Sequence, residues 1–543
     1  MRFPMGGAVI HDSGDLCSDA ETRTDVCVVG GGTAGIFLAA ALRKRGLAVA
    51  VVELGAETAR RPAEARERVD QRGIHYRGAD LGRCFGLGGT SVLWGGQMIP
   101  VTSLDMASRP WAGIEAWPIC HEELAPYFGE VAAVLGLNGM HPAEARQDQS
   151  LVDKRFSRLA KLGADFDVRL SAWLPFKSRN FAQEFAGALQ GDPDLRVWLN
   201  ASVKSLNTSP EFGHRRVTSV TTRNTAGNAL VVHARHFVLC AGALETTRLL
   251  LEHDDRTAGS ITRLGSPLGR YFSDHLSATC GQFQRRSRSR FNSAVAPIFS
   301  HGLMRTPRLE LSAACQRSRE LPSAFAHVTF RTHGDTGFDV VRNFLRRRQG
   351  EQHSLGLSPS RIGRLVHDVT AMAYWRYIQT RLWIPAQADV LLQVDLEQIP
   401  NPDSRLLLSD DRDASGRRRL IVDWRITDRD IAAVRAVTQL TGDRWQKCEL
   451  ADLATLDVVP DQSFDSFETL YDVYHPTGTI RMGRTPADSV VDSDLRMWAM
   501  DNCYVSTTAV FPTAGSANPG FTHLALTARL AEHLAKQIHR GGD

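Results

Sequence analysis

Apolar and polar positions separate clearly near residue 25, where a run of small β-forming residues is followed at once by glycines. Residues 26–29 (Val-Cys-Val-Val) carry no charged or hydroxylated side chain, which predicts a strand buried on both faces of a parallel sheet. The segment 34–45 predicts a helix, and the apolar run 48–52 predicts a second strand. This order of strand, helix and strand is the unit from which parallel α/β sheets are built.

The turn between the first strand and the helix has the spacing Gly-x-Gly-x-x-Gly, at Gly30, Gly32 and Gly35. The first glycine allows a tight turn, the second admits a pyrophosphate, and the third lets the helix pack on the strand. The free N–H groups at the start of the helix would face the phosphates. Glu53 ends the second strand, where a carboxylate would bind the ribose hydroxyls. Together these features predict a dinucleotide site.

Further along the chain, the segment 86–96 contains five glycines and is a poor helix and strand former. Because Val92, Leu93 and Trp94 are too apolar for a flexible surface loop, we predict a loop that covers the cofactor. The segments 195–206, 217–222 and 229–234 predict short strands, and 236–251 predicts a strand that runs through Gly242 into a helix. Helices are predicted at 122–136 and 150–162, and a solvated helix and loop at 57–77.

From about 276 to 464, turn-rich segments alternate with strand-like runs such as 390–395 and 405–409, which predicts a second, largely antiparallel sheet. The stretch 365–384 contains Tyr374, Trp375, Tyr377 and Trp383 among arginines. An aromatic amphipathic helix of this kind could lie on a membrane or form a subunit contact. We favour the alternative of a helix packed over the second sheet.

The last quarter of the chain returns to glycine-rich segments at 474–483 and 503–520, followed by a helix with apolar residues at 526, 530, 534 and 538. Asn518 and Pro519 suit the N-cap and the first position of this helix. We therefore predict a mobile N-terminal extension (1–22) and two domains. A dinucleotide-binding domain would be assembled from 23–110, 196–275 and 465–540, and a substrate-binding domain from 111–195 and 276–464.

Composition narrows the class of protein. The 543 residues are 43% apolar and 23% charged, with a net charge of +4, as in a globular protein without a nucleic-acid footprint. The nine cysteines are scattered and form no Cys-x-x-Cys pair, which argues against a disulfide framework and a structural zinc site, and no metal is predicted. The sequence has no leader-like pattern and no bilayer-spanning run. We predict a cytoplasmic protein without an integral membrane segment.

Seven motifs follow one another along nearly the whole chain. They are the Gly30 loop with Glu53, Gly88-Gly89-Thr90-Ser91, Leu-Cys-Ala-Gly-Ala at 239–243 with Arg-Leu-Leu at 248–250, Leu-Gly-Arg-Tyr-Phe-Ser-Asp-His at 268–275, Glu-Gln-Ile-Pro-Asn-Pro-Asp-Ser-Arg at 397–405, His-Pro-x-Gly-Thr-x-x-Met at 475–482, and Ser-Ala-Asn-Pro at 516–519. In this order they resemble the glucose–methanol–choline (GMC) family of flavoprotein oxidoreductases, and more closely its pyranose-oxidase-like branch.

The resemblance implies an α/β fold in which a Rossmann-like, glutathione-reductase-like domain binds FAD beside a second, mostly antiparallel α+β substrate domain. It implies oxidation of an alcohol by hydride transfer to FAD, with His475 as the catalytic base and Asn518 as the second catalytic residue; His275 and His523 are weaker candidates. The residues expected at the cofactor are Gly30, Gly32, Thr33, Ala34, Gly35, Glu53, Gly89, Thr90, Ser91, Trp94, Val203, Ala241, Gly242, Thr508, Asn518 and Pro519. Leu93 aligns with the histidine to which the branch links FAD covalently, so noncovalent FAD is expected.

The predicted activity is FAD-dependent oxidation of a CH–OH group of a sugar, glycoside or cyclitol. One alternative is a flavoprotein that oxidises a bulky or sterol-like alcohol, and another is a catalytically silent flavin-binding protein. A nicotinamide dehydrogenase would share the first glycine motif but would not need the C-terminal glycine-rich segments. Oxygen, a quinone-like compound or a protein is expected as electron acceptor.

Overall fold

The computed structural model describes residues 10–61, 68–137, 145–209, 215–224, 226–334, 336–350, 362–460, 464 and 469–540. Its strands are β1 Ile10–Asp12, β2 Ala20–Val29, β3 Val49–Val52, β4 Val69–Gly73, β5 Gln97–Met98, β6 Phe166–Trp173, β7 Leu195–Leu199, β8 Ser202–Thr208, β9 Val217–Arg223, β10 Ala229–Leu239, β11 His275–Arg285, β12 Ile298–Ser300, β13 Leu303–Leu311, β14 Ala324–Arg331, β15 Asp389–Glu397, β16 Arg405–Arg412, β17 Arg418–Trp424, β18 Ala454–Val458, β19 Tyr471–Asp472 and β20 Cys503–Val505.

The α-helices connect these strands. They are α1 Thr33–Lys44, α2 Gly78–Leu81, α3 Ser103–Met106, α4 His121–Val134, α5 Ala145–Arg155, α6 Ser157–Ala160, α7 Phe181–Glu184, α8 Ala186–Gly191, α9 Gly242–Arg256, α10 Arg288–Val295, α11 Ala313–Ser318, α12 Gly337–Gln349, α13 Ile362–Tyr377, α14 Asp428–Gln446 and α15 Pro519–Arg540. No helix among the described residues is long and apolar enough to cross a bilayer.

The first sheet has the strand order β1-β7-β3-β2-β10-β9-β8, and β20 also pairs with β10. Strands β7, β3, β2, β10 and β20 are parallel to one another, whereas β9 and β8 are antiparallel additions. Because the central strands are covered on both faces, residues 26–28 are fully buried. The predicted strand, helix and strand are observed as β2, α1 and β3.

The second sheet has the order β18-β11-β15-β14-β13-β6-β5, and its strand pairs are antiparallel. It is formed mainly by segments after residue 275, with β5 and β6 added at one edge. The predicted fold class, an α/β protein with a second, mostly antiparallel sheet, is confirmed. The division into two domains stays a prediction.

Three local expectations are wrong, and long-range pairing explains two of them. Part of the predicted mobile extension forms β1, because it pairs with β7 and His11 stacks on Trp198 at 4.5 Å; residues 1–9 lie outside the described residues. The segment 57–77, predicted as a solvated helix and loop, contains strand β4, which pairs with β17. Residues 62–67 of this segment lie outside the described residues. The predicted helix at 150–162 is broken at the buried Phe156 into α5 and α6.

The aromatic stretch forms α13, which contacts α12. The guanidinium of Arg376 also lies 4.0 Å from the ring centre of Phe299 in β12. Several large apolar side chains on or just after this helix remain exposed, namely Val366, Val369, Tyr374, Tyr377 and Ile378. The helix is therefore packed on one side and uncovered on the other within the described part of the chain.

Candidate active site

A cavity of about 590 Å³ lies between the two sheets. One wall is formed by the carboxyl ends of β2, β3, β10 and β20, where the chain turns into glycine-rich loops. The opposite wall is formed by side chains of β13, β14 and β15. This volume is in the range of small-molecule and cofactor sites, and the ends of parallel strands are where α/β sheets bind ligands.

Most of the residues predicted at the site line this one cavity. They are His475, Gly30, Gly32, Thr33, Ala34, Glu53, Gly89, Thr90, Trp94, Val203, Ala241, Gly242, Thr508, Asn518 and Pro519. Gly35 and Ser91 are not among the lining residues. The structure thus brings together residues that are almost 500 positions apart in the sequence, from β2 to the start of α15.

The start of α1 offers backbone donors to the cavity. Its first intrahelical bond runs from Ile36 N to Gly32 O, so the earlier N–H groups of the helix have no partner in their own helix. Gly32, the N-cap, has no side chain to occupy them. A Cβ on Gly89 would lie only 2.9 Å from the Gly32 Cα. Backbone donors, a positive helix end and a cradle without side chains fit a pyrophosphate.

Gly35 does not line the cavity but lies behind it, where α1 contacts the end of β2. A Cβ at this position would lie 1.9 Å from the carbonyl oxygen of Gly30, so only glycine lets α1 approach the end of β2. Ser91 braces the next loop, because its hydroxyl donates to Gly88 O at 2.6 Å and accepts from Phe181 N at 3.0 Å. Both residues shape the cavity walls without lining them.

Glu53 is buried and already has three hydrogen-bond partners in the protein. Its Oε2 accepts from Gly31 N at 2.7 Å, and its Oε1 accepts from Gly55 N and Gly86 N, both at 2.9 Å. Burial raises the pKa of this carboxyl, and hydrogen bonds from backbone N–H groups oppose that rise. Glu53 therefore ties three loops of the cavity together, and Oε2 keeps one acceptor position for a ligand. Its contact with ribose stays a prediction.

His475 is held by its backbone. Its N–H donates to Asp274 Oδ2 at 2.6 Å, and the neighbouring Thr477 bridges to Ser273 in both directions. Gly478 permits this close approach, because its φ is +90° and a Cβ there would lie 2.0 Å from the Tyr271 carbonyl oxygen. The two motifs, 268–275 and 475–482, are thereby locked against each other.

This contact places the rings of His275 and His475 in one chain of hydrogen bonds that starts at the carbonyl oxygen of Gly515. His275 Nε2 lies 2.7 Å from the carbonyl oxygen of Gly515, and His275 Nδ1 lies 3.0 Å from His475 Nδ1. A carbonyl oxygen can only accept, so His275 must donate from Nε2. If both rings are neutral, His275 Nδ1 accepts and His475 donates from its own Nδ1. The nitrogen of His475 that keeps a lone pair is then Nε2, the one not engaged by His275.

The surroundings favour neutral rings. Burial lowers the pKa of His475 well below its ordinary value, and the neighbouring His275 lowers it further. Burial likewise lowers the pKa of His275. His523 also lines the cavity, and burial lowers its pKa to about 4. Its Nε2 lies 3.5 Å from the Ser506 hydroxyl, with no second histidine recorded against it among the described residues.

Asp274, His275 and His475 place potential metal-ligand atoms within 4.8 Å of one another. Asp274 Oδ2, however, accepts from the Tyr76 hydroxyl at 2.8 Å as well as from His475 N. Burial raises the pKa of Asp274 well above its ordinary value, and Asp472 adds to that rise. We describe the three residues as a hydrogen-bonded group that supports the His475 ring.

Asn518 precedes α15, and its side chain is fixed by an arginine that sequence reasoning missed. Arg308 is 1% exposed, and its Nη2 donates to Asn518 Oδ1. Because a guanidinium only donates, the amide NH2 of Asn518 is the group left for a ligand. Burial lowers the pKa of Arg308 to about 10, so the group remains a cation at neutral pH. The predicted N-cap bond, from a backbone N–H of α15 to the Asn518 side chain, is not found among the described residues.

The wall opposite the glycine loops is a polar face of the second sheet, which the sequence analysis did not predict. Phe325 pairs with Asp395, and His327 pairs with Gln393, on adjacent strands. His327 Nε2 lies 3.0 Å from Asp395 Oδ2, and Gln393 Nε2 donates to Ser277 Oγ at 2.6 Å. A signal was available in the alternation along 389–397, where residues 393, 395 and 397 are all polar.

Together, the fold and the cavity define a dinucleotide-binding oxidoreductase whose cradle, acidic residue and helix end fit FAD. Comparisons with known proteins agree. Residues 23–74 match an FAD binding domain, and residues 400–527 match the family described as GMC oxidoreductase.

Two curated relatives match most of the chain. The 2-methyl-1,2-propanediol dehydrogenase of Mycolicibacterium austroafricanum is 24% identical over 83% of this chain and 81% of its own length. Paromamine 6'-oxidase of Streptomyces fradiae is 25% identical over 98% of this chain and 95% of its own. Among solved structures, pyridoxine 4-oxidase from Mesorbium loti superposes with a TM-score of 0.60 at 20% identity, covering 94% of this chain and 99% of that chain.

The chain thus resembles the GMC oxidoreductase family, whose description it matches over residues 400–527, and it is an FAD-dependent alcohol or sugar oxidoreductase. Its substrate is a small-molecule alcohol, and an electron acceptor completes the cycle. The pyranose-oxidase-like branch and the roles of individual residues stay predictions.

Proposed function

We propose that this enzyme oxidises a CH–OH group of a sugar, glycoside or cyclitol, with His475 as general base and Asn518 as its non-titrating partner. The observation that carries the proposal is the relay from the Gly515 carbonyl through His275 to His475, which leaves Nε2 of His475 able to accept a proton. FAD, held noncovalently, supplies the hydride acceptor when bound.

A free base of this kind is needed because an alcohol is a weak acid. Neutral imidazole has a reference pKa of about 6.5, and water, to which a simple alcohol is comparable, of about 15.7. The gap of about nine units corresponds to roughly 12 kcal/mol if the proton left first. The proton must therefore pass to His475 Nε2 as the C–H bond breaks. The low pKa of His475 keeps the ring unprotonated at neutral pH, and because it also makes the ring a weaker base, it adds to the need for the two transfers to be coupled.

Asn518 and Arg308 would stabilise the same substrate oxygen. The Arg308 guanidinium holds Oδ1 of Asn518, which leaves the amide NH2 to donate to the oxygen that loses its proton. As a buried cation on the cavity wall, Arg308 also favours negative charge developing there. Neither group has to change its protonation state.

The polar sheet face supports a hydroxylated ring over a sterol-like substrate. Gln393, Asp395 and His327 offer both donors and acceptors, and Phe325 offers an aromatic face on the same wall. His327 pairs with Asp395, and the Gln393 amide donates to Ser277, but the amide oxygen of Gln393 would lose hydration without replacement if an apolar ring filled the cavity. The bulky-alcohol alternative is therefore disfavoured.

The test is anaerobic stopped-flow reduction of FAD-replete protein by a panel of sugars, glycosides, cyclitols and apolar alcohols. We expect carbohydrate to reduce the wild type and His475→Ala to be slower by about 10²- to 10⁴-fold while still retaining FAD. His236→Gln, at a half-buried histidine that does not line the cavity, serves as the matched control. Admitting air or a quinone afterwards identifies the acceptor. Reduction of His475→Ala at the wild-type rate would place the base elsewhere.

A further inference from the structure

The polar wall of the cavity continues along the second sheet into a second cavity. On β14, Phe325 and His327 line the first cavity, and Thr329 and Arg331 line the second. These four positions differ by two residues each, so their side chains point to the same face of the sheet. From Phe325 to Arg331 the strand extends about 20 Å, which is longer than one sugar ring.

The neighbouring strands continue the same trough. Gln393 on β15 lines both cavities, and it lies opposite Thr279 on β11 on one side and His327 on the other. The second cavity has a volume of about 340 Å³. Its wall also includes Thr332, Arg342 and Tyr471.

Several polar groups of the second cavity have no hydrogen-bond partner among the described residues. Within the described part of the chain, no hydrogen bond is made by the hydroxyls of Thr279, Thr329 and Tyr471 or by the amide oxygen of Gln393. All four side chains are only partly exposed. Groups of this kind are those that a hydroxylated ligand satisfies.

The charges of the second cavity are largely balanced internally. Asp339 Oδ1 accepts from Arg342 Nη2 at 2.7 Å and from the Thr332 hydroxyl at 2.5 Å. The second cation, Arg331, lies at the exposed end of the trough. The part of the wall nearest Gln393 is thus neutral, with hydroxyl and amide groups beside the apolar Leu391, and it suits a neutral, hydroxylated ligand better than an anion.

We infer that the second cavity binds the non-reacting sugar or cyclitol unit of a larger glycoside while the reacting ring lies beside His475. The inference rests on the proposed function and adds to it that the preferred substrate has at least two hydroxylated units. Thr279, Thr329 and Gln393 would hydrogen-bond the distal unit, and Tyr471 would close its far side.

The test compares methyl glucoside with the disaccharides maltose and cellobiose, using the FAD-replete full-length enzyme. We expect at least one disaccharide to have a higher kcat/KM than methyl glucoside. Thr329→Val should lower kcat/KM for that disaccharide about 2- to 10-fold more than for methyl glucoside, the effect of one lost hydrogen bond. Thr279→Val, on the adjacent strand, provides a second variant should the first fold poorly. Thr218→Val, at an exposed threonine of β9, is the control. It should leave the ratio of kcat/KM for each disaccharide to kcat/KM for methyl glucoside unchanged.

Binding supplies a readout that does not depend on turnover. In the FAD-bound His475→Ala background, isothermal titration calorimetry should show the disaccharide binding more weakly after Thr329→Val by the same factor. Equal constants for methyl glucoside and both disaccharides, with no selective effect of either variant, would overturn the second binding site but leave the proposed function intact. Failure of every carbohydrate to bind or to reduce the flavin would overturn both.

Discussion

The histidine relay can be tested through His275, which contacts His475 but does not line the cavity. Replacing it with leucine removes the acceptor for the His475 Nδ1–H group, found at 3.0 Å. The His475 proton can then move to Nε2, where it would block the base. His275→Leu should therefore slow flavin reduction while FAD binding is retained.

The magnitude follows from the lost hydrogen bond. An acceptor withdrawn from a buried donor costs about 1–3 kcal/mol, which at 1.36 kcal/mol per factor of ten reduces the productive tautomer about 5- to 150-fold. Most of this range lies below the loss of about 10²- to 10⁴-fold expected on removal of the base itself. Because His275 also helps to lower the pKa of His475, its removal should raise that pKa. The acid limb of the reduction rate should then move to higher pH.

The assay is anaerobic stopped-flow reduction across pH, with samples matched for flavin content. His275→Asn keeps an acceptor near the position of Nδ1 and should recover part of the rate, which a purely structural defect would not do. If His275→Leu reduces at the wild-type rate with an unchanged pH profile, the relay does not set the tautomer of His475.

Further predictions concern the cofactor cradle and acid stability. Glu53→Gln places an NH2 against backbone donors and should lower FAD content and melting temperature; no change in either would leave Glu53 without a role in joining the loops. Gly35→Ala should prevent folding or FAD binding, because its Cβ would lie 1.9 Å from a carbonyl oxygen, whereas Gly187→Ala, with no atom within 4 Å of the added Cβ, should be tolerated; comparable flavin content in the two variants would contradict this. Acid precipitation should release all FAD, since Leu93 cannot form a histidyl link, and yellow colour left in the pellet would refute noncovalent binding. Burial lowers the pKa of His236 to about 4, below the ordinary value of about 6.5, so the unfolded chain binds a proton that the folded chain does not. The free energy of unfolding should therefore fall as pH drops from about 6.5 to about 4, by up to about 1.4 kcal/mol per pH unit for this group. Thermal melts of the wild type and His236→Gln should therefore differ in how stability changes with pH. Parallel pH profiles of the two proteins would exclude a contribution of His236.

The sequence by itself determined the nucleotide-binding half of this protein. The glycine spacing, the apolar runs around it and the acid at residue 53 are local patterns with a steric reason. Only glycine fits at positions 30 and 35, where added Cβ atoms would meet backbone at 2.7 and 1.9 Å. Local constraints of this kind lie in consecutive residues, so strand β2, helix α1 and strand β3 could be predicted in their order. The bounds of α1 and β3 were nearly predicted, whereas β2 begins at Ala20, six residues before the predicted strand.

The sequence also indicated which segments would carry chemistry, but not how they meet. His275 is 200 residues from His475, and Arg308 is 210 from Asn518. Neither pairing follows from local pattern, because each depends on the register of strands and bridges that close only in the folded chain. The same holds for β4, whose partner β17 is about 350 residues away.

Tertiary structure alone decided the protonation and orientation of the site. The ring nitrogens of His475 are chemically alike until His275 and the Gly515 carbonyl fix which one carries the proton. Asn518 has two equivalent-looking ends until a guanidinium, which can only donate, occupies its oxygen. Burial then lowers the pKa of His475, since a charged ring loses its hydration between two sheets. The residue types determine which protonation states and hydrogen bonds are possible, and the packing of distant segments determines which of them occur.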